Sequence, residues 1–192
     1  MRCVKEIFGS LQGEGFWTGR ASVFVRFSGC NLRCRFCDTD HGGGTLMSDG
    51  EIVAAVSSWA ADWVVLTGGE PALQVDGSLV DALHGVGRGV AIETNGTVPL
   101  PEGIDWVTYS PKQDFCDGAE PCIGRADEVK VVWTGQEVSH HLLFPAGHYF
   151  LQPCDWGDAV RNRETLAACV AYVEAHPQWR LSLQMHKLIG LK

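Results

Sequence analysis

The chain has 192 residues, of which 45% are hydrophobic and 20% are charged, so it is long enough to bury one sizeable core. No break in composition marks a second domain, and we expect a single domain over residues 1–192. A formal net charge of -8 disfavours binding to nucleic acid or to anionic membranes, which require a basic surface. With no signal-peptide core and no apolar run of membrane-spanning length, the sequence predicts a cytoplasmic protein that acts on a small molecule or a protein partner.

Seven short runs rich in β-branched or aromatic residues predict strands. They cover residues 22–28, 62–68, 89–95, 105–110, 127–133, 148–153 and 179–184. Several of these runs are apolar at successive positions, which is typical of parallel strands covered on both faces.

Three stretches between the strands predict helices, at residues 48–60, 76–87 and 163–177. Ser48 and Glu51 form a capping box at the start of the first. No convincing helix separates the strands between residues 89 and 153, and the tract 111–126 is a long loop rich in Gly, Pro and Asp. This pattern predicts an α/β fold, a single-domain partial (β/α) barrel with mostly parallel strands and few helices.

Polar, Gly and Pro residues follow nearly every predicted strand. The segments are "GCNLRCRFCDTD" (29–40), "TGGEP" (67–71), "ETNGT" (93–97), "YSPK" (109–112), "LQPCD" (151–155) and "QMHK" (184–187). Because ligands bind at the carboxyl ends of parallel strands in α/β folds, we expect these segments to meet at one site.

The first of these segments carries three cysteines, Cys30, Cys34 and Cys37. A structural zinc ion would need a fourth ligand from a remote group such as His41 or Cys154. An iron-sulfur cluster held by three thiolates instead leaves one iron open. The CxxxCxxC spacing, with Phe36 before the last cysteine, resembles the signature of the radical S-adenosylmethionine superfamily. In that superfamily the open iron binds S-adenosylmethionine, whose reductive cleavage gives a 5′-deoxyadenosyl radical, and "TGGEP" resembles its Gly-rich segment.

Further motifs resemble the 7-carboxy-7-deazaguanine synthase family. They are "FGSLQGEGFWTGRASVFVRFSGCNLRCRFCDT", "TGGEPALQ", "ETNGT", "YSPK", "LQP" and "LQMHKLIG", and the resemblance covers roughly residues 6–192. It implies a homodimer with an abridged radical S-adenosylmethionine core. The implied reaction is the ring contraction of 6-carboxy-5,6,7,8-tetrahydropterin to 7-carboxy-7-deazaguanine with loss of ammonia, in the deazapurine pathway to queuosine. The implied cofactors are a 4Fe-4S cluster, S-adenosylmethionine and magnesium, with a reducing electron donor of the flavodoxin type.

The resemblance also implies roles for individual residues. Cys30, Cys34 and Cys37 bind the cluster, and Thr39 binds magnesium through a hard oxygen. Substrate contacts are implied for Leu11, Gln12, Gly13, Arg26, Thr67 and the main-chain terminus of Lys192. Contacts to S-adenosylmethionine are implied for Phe36, Cys37, Asp38, Gly69, Ser110, Pro111, Lys112, Gln152, Pro153, Cys154 and Asp155.

Several assignments keep a structural alternative. Arg26 pairs with the substrate carboxylate or with an acidic side chain of the barrel. Thr39 binds magnesium or caps the turn that ends the cysteine loop. Glu14 contacts the pterin or its own loop, and Asn95 contacts the cofactor or forms an Asn-Gly turn. Met185 stands where the family has a small polar residue, which leaves the packing of the last turn open.

The remaining cysteines and two histidines have no counterpart in these motifs. Cys169 is predicted to lie in the core, on the apolar stripe of a helix. Cys3 has no assigned role. Cys116 and Cys122 share the long loop, where a metal or a disulfide is open in principle, but they are taken as structural because neither has a second pair nearby. His140 and His141 are expected in solvent. Two other functions are consistent with the three-cysteine loop. One is an activating enzyme for glycyl-radical enzymes, which acts on a protein, and the other is a zinc-binding module.

Overall fold

Nine strands form one sheet in this structure, a computed structural model that describes residues 1–192. The strands are β1 (Arg2–Leu11), β2 (Ala21–Phe27), β3 (Thr45–Met47), β4 (Trp63–Gly68), β5 (Gly89–Thr94), β6 (Trp106–Tyr109), β7 (Ala126–Trp133), β8 (Ala146–Pro153) and β9 (Arg180–Leu181). The helices are α1 (Asp49–Ser57), α2 (Gly77–His84), α3 (Ala159–Ala175) and α4 (Met185–Leu188), with short 3₁₀ turns at Pro71–Leu73 and Ser139–Leu143. The strand order across the sheet is β3-β1-β2-β4-β5-β6-β7-β8-β9.

The seven predicted strands are all present and all parallel. They correspond to β2 and to β4 through β9, each paired with the next in the same direction. No α-helix separates β5 from β6, β6 from β7, or β7 from β8. The predicted fold class, a partial barrel with mostly parallel strands and few helices, is therefore confirmed.

Two strands were not predicted, and both are antiparallel. β1 pairs with β2, from Val4 opposite Phe27 to Leu11 opposite Ala21, and its other edge pairs with the three residues of β3. Charged Lys5 and Glu6 lie in the middle of β1, where the register with β2 shifts between Val4 and Glu6. β1 therefore lacks the continuous apolar run that marks the buried strands.

Helices α1 and α2 pack on the outer face of the first half of the sheet. Ser48 and Glu51 form the predicted capping box at the start of α1. Apolar side chains from both helices bury against β2, β4 and β5, including Ile52, Leu79 and Leu83. The result is a dry layer on one side of the strands, which leaves the other side free to carry polar groups.

The second half of the sheet is covered by α3. Asp158 caps this helix by accepting hydrogen bonds from the main-chain N–H groups of Val160 and Arg161. Cys169 of α3 is fully buried beside Leu151 and Trp179, which confirms its predicted place in the core. The longest helix has 17 residues, and no helix is both long and apolar enough to cross a membrane.

The segment between β1 and β2 closes the amino-terminal end of the parallel strands. Phe16 stacks on Trp106, the first residue of β6, with ring centroids 5.0 Å apart, and on His148 at 4.5 Å. Trp17 packs against Trp63, the first residue of β4, at 5.7 Å. These aromatic contacts hold the preceding residues, 12–14, against the inner side of the sheet, where they help line a cavity.

Candidate active site

A cavity of about 840 Å³ lies on the inner side of the sheet, towards the carboxyl ends of the parallel strands. This volume is within the usual range for small-molecule sites. The cavity brings together nearly all the predicted site residues: Leu11, Gln12, Gly13, Arg26, Cys30, Cys34, Phe36, Cys37, Asp38, Thr39, Thr67, Gly69, Ser110, Lys112, Gln152, Pro153, Cys154, Asp155 and Lys192. The exception is Pro111, which is buried and does not reach the wall of the cavity. The expectation that the strand-end segments meet at one site is confirmed.

The cysteine loop lies between β2 and β3, and its three thiols face the cavity without forming disulfides. The sulfurs of Cys30, Cys34 and Cys37 are not all within 4.8 Å of one another. A tetrahedral zinc ion with Zn–S bonds of about 2.3 Å holds its sulfurs roughly 3.8 Å apart, so the loop is wider than one zinc ion needs. Three widely spaced thiols suit a cluster in which each thiolate binds a different iron.

Burial keeps two of these thiols protonated in the cluster-free chain. It raises the pKa of Cys30. Burial, reinforced by a contact with the thiol of Cys116, raises the pKa of Cys34 to about 12. Because only thiolates bind iron, loading of a cluster releases these protons.

The Gly-rich turn after β4 touches the backbone of the cysteine loop. A Cβ atom added to Gly69 would lie 2.0 Å from the main-chain oxygen of Gly29, so no larger residue fits without moving the loop. The main-chain N–H of Glu70 donates to the same oxygen at 2.9 Å. These contacts fix the position of the loop relative to β4.

Glu70 itself is fully buried and has a structural role. Its carboxylate accepts hydrogen bonds from the main-chain N–H of Ala72 at 3.0 Å, the hydroxyl of Thr94 at 2.7 Å and the main-chain N–H of Asn95 at 2.7 Å. Burial raises its pKa despite these bonds. Asn95 is thereby held with its side-chain amide donating to Asn31 in the cysteine loop, at 3.1 Å.

Ser110 and Lys112 follow β6 and line the cavity. The ammonium group of Lys112 donates to the main-chain oxygen of Ser110 at 2.7 Å and to its hydroxyl at 2.6 Å. Burial lowers the pKa of Lys112. A cation is thus held beside the thiols of the cysteine loop, where a cluster with bound cofactor would carry negative charge.

A short carboxyl-terminal segment joins the cysteine loop to the segment after β8. Lys187 of α4 donates to Asp38 at 2.7 Å and to Asp155 at 2.6 Å, and Gln184 donates to Asp38 at 3.1 Å. The hydrogen bond that Asp155 accepts from Lys187 lowers the pKa of this carboxyl group to about 2. Desolvation opposes the same effect at Asp38, but the bonds from Lys187 and Gln184 still lower its pKa.

A buried network of charges forms the inner wall of the cavity. Lys130 of β7 lies 2.5 Å from Glu14 and 3.5 Å from Glu93 of β5. Glu93 also accepts hydrogen bonds from the amide of Gln12 at 3.0 Å and the hydroxyl of Thr67 at 3.2 Å. Burial works against the charge on Lys130, but the neighbouring carboxylates raise its pKa overall. The network lines the cavity with donors and acceptors in fixed positions.

The turn at Gly13 is packed tightly by the carboxyl-terminal segment. A Cβ atom on Gly13 would lie 2.0 Å from Nδ1 of His186. Met185 donates its main-chain N–H to the oxygen of Gly13 at 2.9 Å. The contribution of Met185 is therefore a main-chain hydrogen bond, one that any residue except proline can make at this position.

Arg26 has an acidic partner within the protein. Its Nε donates to Glu6 of β1 at 2.9 Å, and its two terminal nitrogens make no hydrogen bond to the protein. Lys192 contacts the same Glu6 carboxylate through its ammonium group, and its main-chain oxygen accepts a hydrogen bond from Ser10 at 2.8 Å. Arg26 therefore forms the salt bridge that was the structural alternative to substrate binding. Its two terminal nitrogens nevertheless remain free to donate hydrogen bonds beside the cavity.

Thr39 lies at the rim of the cavity beside the last cysteine. Its hydroxyl contacts a carboxylate oxygen of Asp38 at 3.4 Å and caps no main-chain N–H group. Two oxygen atoms of the kind that magnesium prefers are therefore adjacent at this position.

Sequence reasoning gave no role to several residues that shape the site. Glu93, Gln184, His186 and Lys187 lie in segments that were expected there, whereas Lys130, which lines the cavity, and Cys116, which touches a cysteine of the loop, were not expected. The sulfur of Cys116 is 3.5 Å from that of Cys34, and Phe115 packs edge-on against Phe36 with ring centroids 4.6 Å apart. Because these contacts join distant parts of the chain, local motifs could not reveal them.

Comparisons with known proteins agree with the geometry. The Radical SAM superfamily profile matches residues 24–110. The chain is 57% identical to the 7-carboxy-7-deazaguanine synthase of Bacteroides thetaiotaomicron, with 100% of both chains covered, and 45% identical to that of Nitratidesulfovibrio vulgaris, with 98% of both covered. It also resembles the crystal structure of QueE from Escherichia coli, with a TM-score of 0.72 and 29% identity over 96% of this chain and 94% of that one.

The motif resemblance is confirmed by these full-length relatives, and the cysteine loop that the profile spans is the one that faces the cavity. The chain belongs to the 7-carboxy-7-deazaguanine synthase family of the radical S-adenosylmethionine superfamily.

Proposed function

We propose that this enzyme converts 6-carboxy-5,6,7,8-tetrahydropterin to 7-carboxy-7-deazaguanine with loss of ammonia, the step that leads to queuosine. Family membership implies a 4Fe-4S cluster and S-adenosylmethionine. The proposal is carried by one observation. A single cavity is lined by the three cysteines, by the free donors of Arg26 and by a buried network of polar and charged groups.

The cluster with bound S-adenosylmethionine supplies an adenosyl radical that removes hydrogen from the substrate. The thiols of Cys30, Cys34 and Cys37 hold that cluster. The cofactor contacts we propose are Phe36, Cys37, Asp38, Gly69, Ser110, Lys112, Gln152, Pro153, Cys154 and Asp155. Pro111, which does not reach the cavity, holds Ser110 and Lys112 in place. The bonds from Lys187 to Asp38 and Asp155 keep the two ends of this set together.

The proposed substrate contacts line the same cavity. The terminal nitrogens of Arg26 bind the pterin carboxylate in a bidentate fashion, since Glu6 occupies only its Nε. Gln12 and Thr67 are oriented by Glu93, and Gln12 also accepts from the main-chain N–H of Glu14, so they offer the ring the second amide N–H of Gln12 and the acceptor lone pairs of the Thr67 hydroxyl. Leu11, Gly13 and the main chain of Lys192 complete this set. Positioning of the ring over these fixed groups directs its reactive hydrogen towards the cofactor.

Thr39 would hold magnesium through its hydroxyl, and the ion would supply positive charge to offset that of the substrate carboxylate. The position of its hydroxyl beside Asp38, at the rim of the cavity, supports this role.

Three further features of the enzyme are part of the proposal. A flavodoxin-like donor reduces the cluster, and the exposed Arg33 and Arg35 of the cysteine loop suit an acidic partner. The enzyme is a homodimer, which the exposed Leu188 and Ile189 near the end of the chain support. It acts in the cytoplasm, because all eight cysteines are free and the cluster requires a reducing compartment.

The test is turnover by the reconstituted enzyme in the absence of any added substrate protein. After anaerobic reconstitution, incubation with the carboxylated pterin, S-adenosylmethionine, magnesium and a chemical reductant should give a product with the mass and ultraviolet spectrum of the carboxylated deazapurine. Cys30→Ala should lose bound iron and all turnover. Cys169→Ala, a matched removal of a core cysteine, should keep both and lose at most a few kcal/mol of stability.

Two results would overturn the proposal. One is cofactor cleavage without a deazapurine product, together with radical formation on an added glycyl-radical enzyme, which would assign the chain to the activating enzymes. The other is reconstitution with zinc but not with iron and sulfide, which would identify a zinc-binding module.

A further inference from the structure

Three metal-binding side chains converge outside the cavity. Asp114 lies in the loop between β6 and β7, and His140 and His141 lie in the 3₁₀ turn between β7 and β8. Nε2 of His140 is 3.1 Å from one carboxylate oxygen of Asp114, and Nε2 of His141 is 2.9 Å from the other. The three ligand atoms all lie within 4.8 Å of one another, and none of these residues lines the cavity described above.

The spacing of these atoms suits a single divalent ion. Imidazole nitrogens and carboxylate oxygens bind zinc at about 2.1 Å. Two donors about 3.0 Å apart, each about 2.1 Å from a metal ion, subtend roughly 90° at that ion. Tetrahedral ligands subtend about 109° and stand roughly 3.4 Å apart, so an ion can enter once the histidine rings move away from Asp114 by a few tenths of an ångström.

Burial distinguishes this group from an exposed pair of opposite charges. His141 is only 3% exposed and the side chain of Asp114 is 16% exposed, whereas the side chain of His140 is 47% exposed. His141 is therefore held in place by its surroundings, whereas Asp114 and His140 are exposed as whole residues and open the site to solvent, from which an ion and its remaining water ligands can enter. The prediction that His141 lies in solvent was wrong.

We propose that Asp114, His140 and His141 form a binding site for a divalent transition metal of the zinc class, separate from the cluster and from the magnesium position. Two imidazoles with one carboxylate favour zinc and its neighbours in the first transition series over magnesium, which prefers oxygen ligands. A bound ion joins the loop after β6 to the turn after β7. Asp114 lies between Lys112, which lines the cavity, and Cys116, which contacts Cys34. The ion therefore fixes the loop that holds Lys112 and Cys116 against the cysteine loop.

The experiment measures zinc on the reconstituted enzyme, with the cluster in place. Parent and variants are incubated with zinc sulfate and freed of excess metal by gel filtration, and zinc and iron are then counted by elemental analysis. The parent should retain one zinc per chain without losing iron, and its unfolding temperature should rise by several degrees with zinc. His140→Ala and Asp114→Asn should retain no zinc and show no rise.

His84→Ala is the matched control. His84 forms a single pair with Asp105 at 2.8 Å on the surface and has no second histidine beside it, so the variant should bind zinc as the parent does. The proposal is overturned if the parent retains no more zinc than His140→Ala and Asp114→Asn. It is equally overturned if zinc is retained only in proportion to the iron lost, since the ion would then occupy the cysteine loop. Asp114→Asn preserves the shape of the side chain, so at least this variant is expected to fold. Circular dichroism of each variant checks that it is folded.

Discussion

At the residue scale, Thr39 is the point where magnesium enters the proposed reaction. Its hydroxyl lies beside the cysteine loop and contacts only Asp38 among protein groups. Thr39→Ala removes the proposed ligand but leaves the cluster thiols untouched. We expect the variant to load iron and cleave S-adenosylmethionine as the parent does, and to lose most of the stimulation of product formation by magnesium, which a titration of the rate with magnesium measures.

Asp40 provides the control for this prediction. It lies one residue further on, also lines the cavity and pairs with Lys5 at 2.8 Å. Asp40→Asn should therefore keep the magnesium response. If Asp40→Asn loses that response and Thr39→Ala keeps it, the aspartate binds the ion and the threonine does not.

Individual residues could be predicted from sequence where a motif sets their spacing. Cys30, Cys34 and Cys37, the glycine at position 69 and Lys112 all reach the cavity as expected. The partners that site residues meet across the chain could not be predicted, because nothing local marks them. Glu14 meets Lys130 across 116 positions and Asp38 meets Lys187 across 149. These pairs form only when the sheet brings β7 and the last helix to the inner side.

At the element scale, the buried strands were predictable and the antiparallel ones were not. The apolar runs in β4, β5, β7 and β8 follow from burial on both faces, which restricts residue choice at every position. β1 carries Lys5, Glu6 and Ser10 among its apolar residues, and β3 has only three residues. The path of the long loop after β6 was also beyond prediction, because it depends on packing of Phe115 against Phe36.

The path of that loop brings one unassigned cysteine against the cluster site. Because the sulfurs of Cys34 and Cys116 are 3.5 Å apart, small movements would bring them to the bonding distance of about 2.05 Å. We expect diamide, which accepts two electrons and two protons, to convert these thiols to a disulfide in cluster-free enzyme. Mass spectrometry of unreduced peptides should detect the linked pair, and the cluster-loaded enzyme should be protected.

Two serine variants test whether the contact is specific. Cys116→Ser should abolish the linked peptide. Cys122→Ser, in the same loop, should not, because Cys122 contacts a main-chain oxygen of Gly96 and no thiol. Formation of a different disulfide by Cys34 in the parent would contradict the observed packing of the loop.

At the scale of the whole molecule, Arg2 ties the first strand to both early helices. It is buried and bonds to Asp49 at the start of α1 and to Asp76, the cap of α2, each at 2.7 Å, and to the main-chain oxygen of Gln74. Arg2→Met should lower the free energy of unfolding by about 1–3 kcal/mol at pH 7, a range that allows for the partial exposure of both carboxylates. Urea unfolding under anaerobic conditions measures the change.

The effect of Arg2 should depend on pH in a defined direction. Its hydrogen bonds lower the pKa of Asp49 and Asp76 below their ordinary value of 3.8. The stabilisation is therefore complete above pH 3.8 and is lost as pH falls through the lower folded values. Lys5→Met, which removes an exposed pair with Asp40, should change stability much less. A difference between parent and Arg2→Met that grows on acidification would contradict this assignment.

The central claim is that the cavity beside the cysteine loop binds the carboxylated pterin, and Arg26→Lys tests it most directly. Lysine keeps the positive charge but loses the bidentate fork, so the KM for the pterin should rise at least tenfold, or about 1.4 kcal/mol, while cofactor cleavage without product continues. Arg20→Lys is the matched control, because Arg20 lies over Trp17 and Trp63 at the other end of the strands and does not line the cavity. Steady-state kinetics on all three enzymes should show the rise in KM in Arg26→Lys alone. An unchanged KM in Arg26→Lys would show that Arg26 serves only to bind Glu6 and that the substrate carboxylate lies elsewhere.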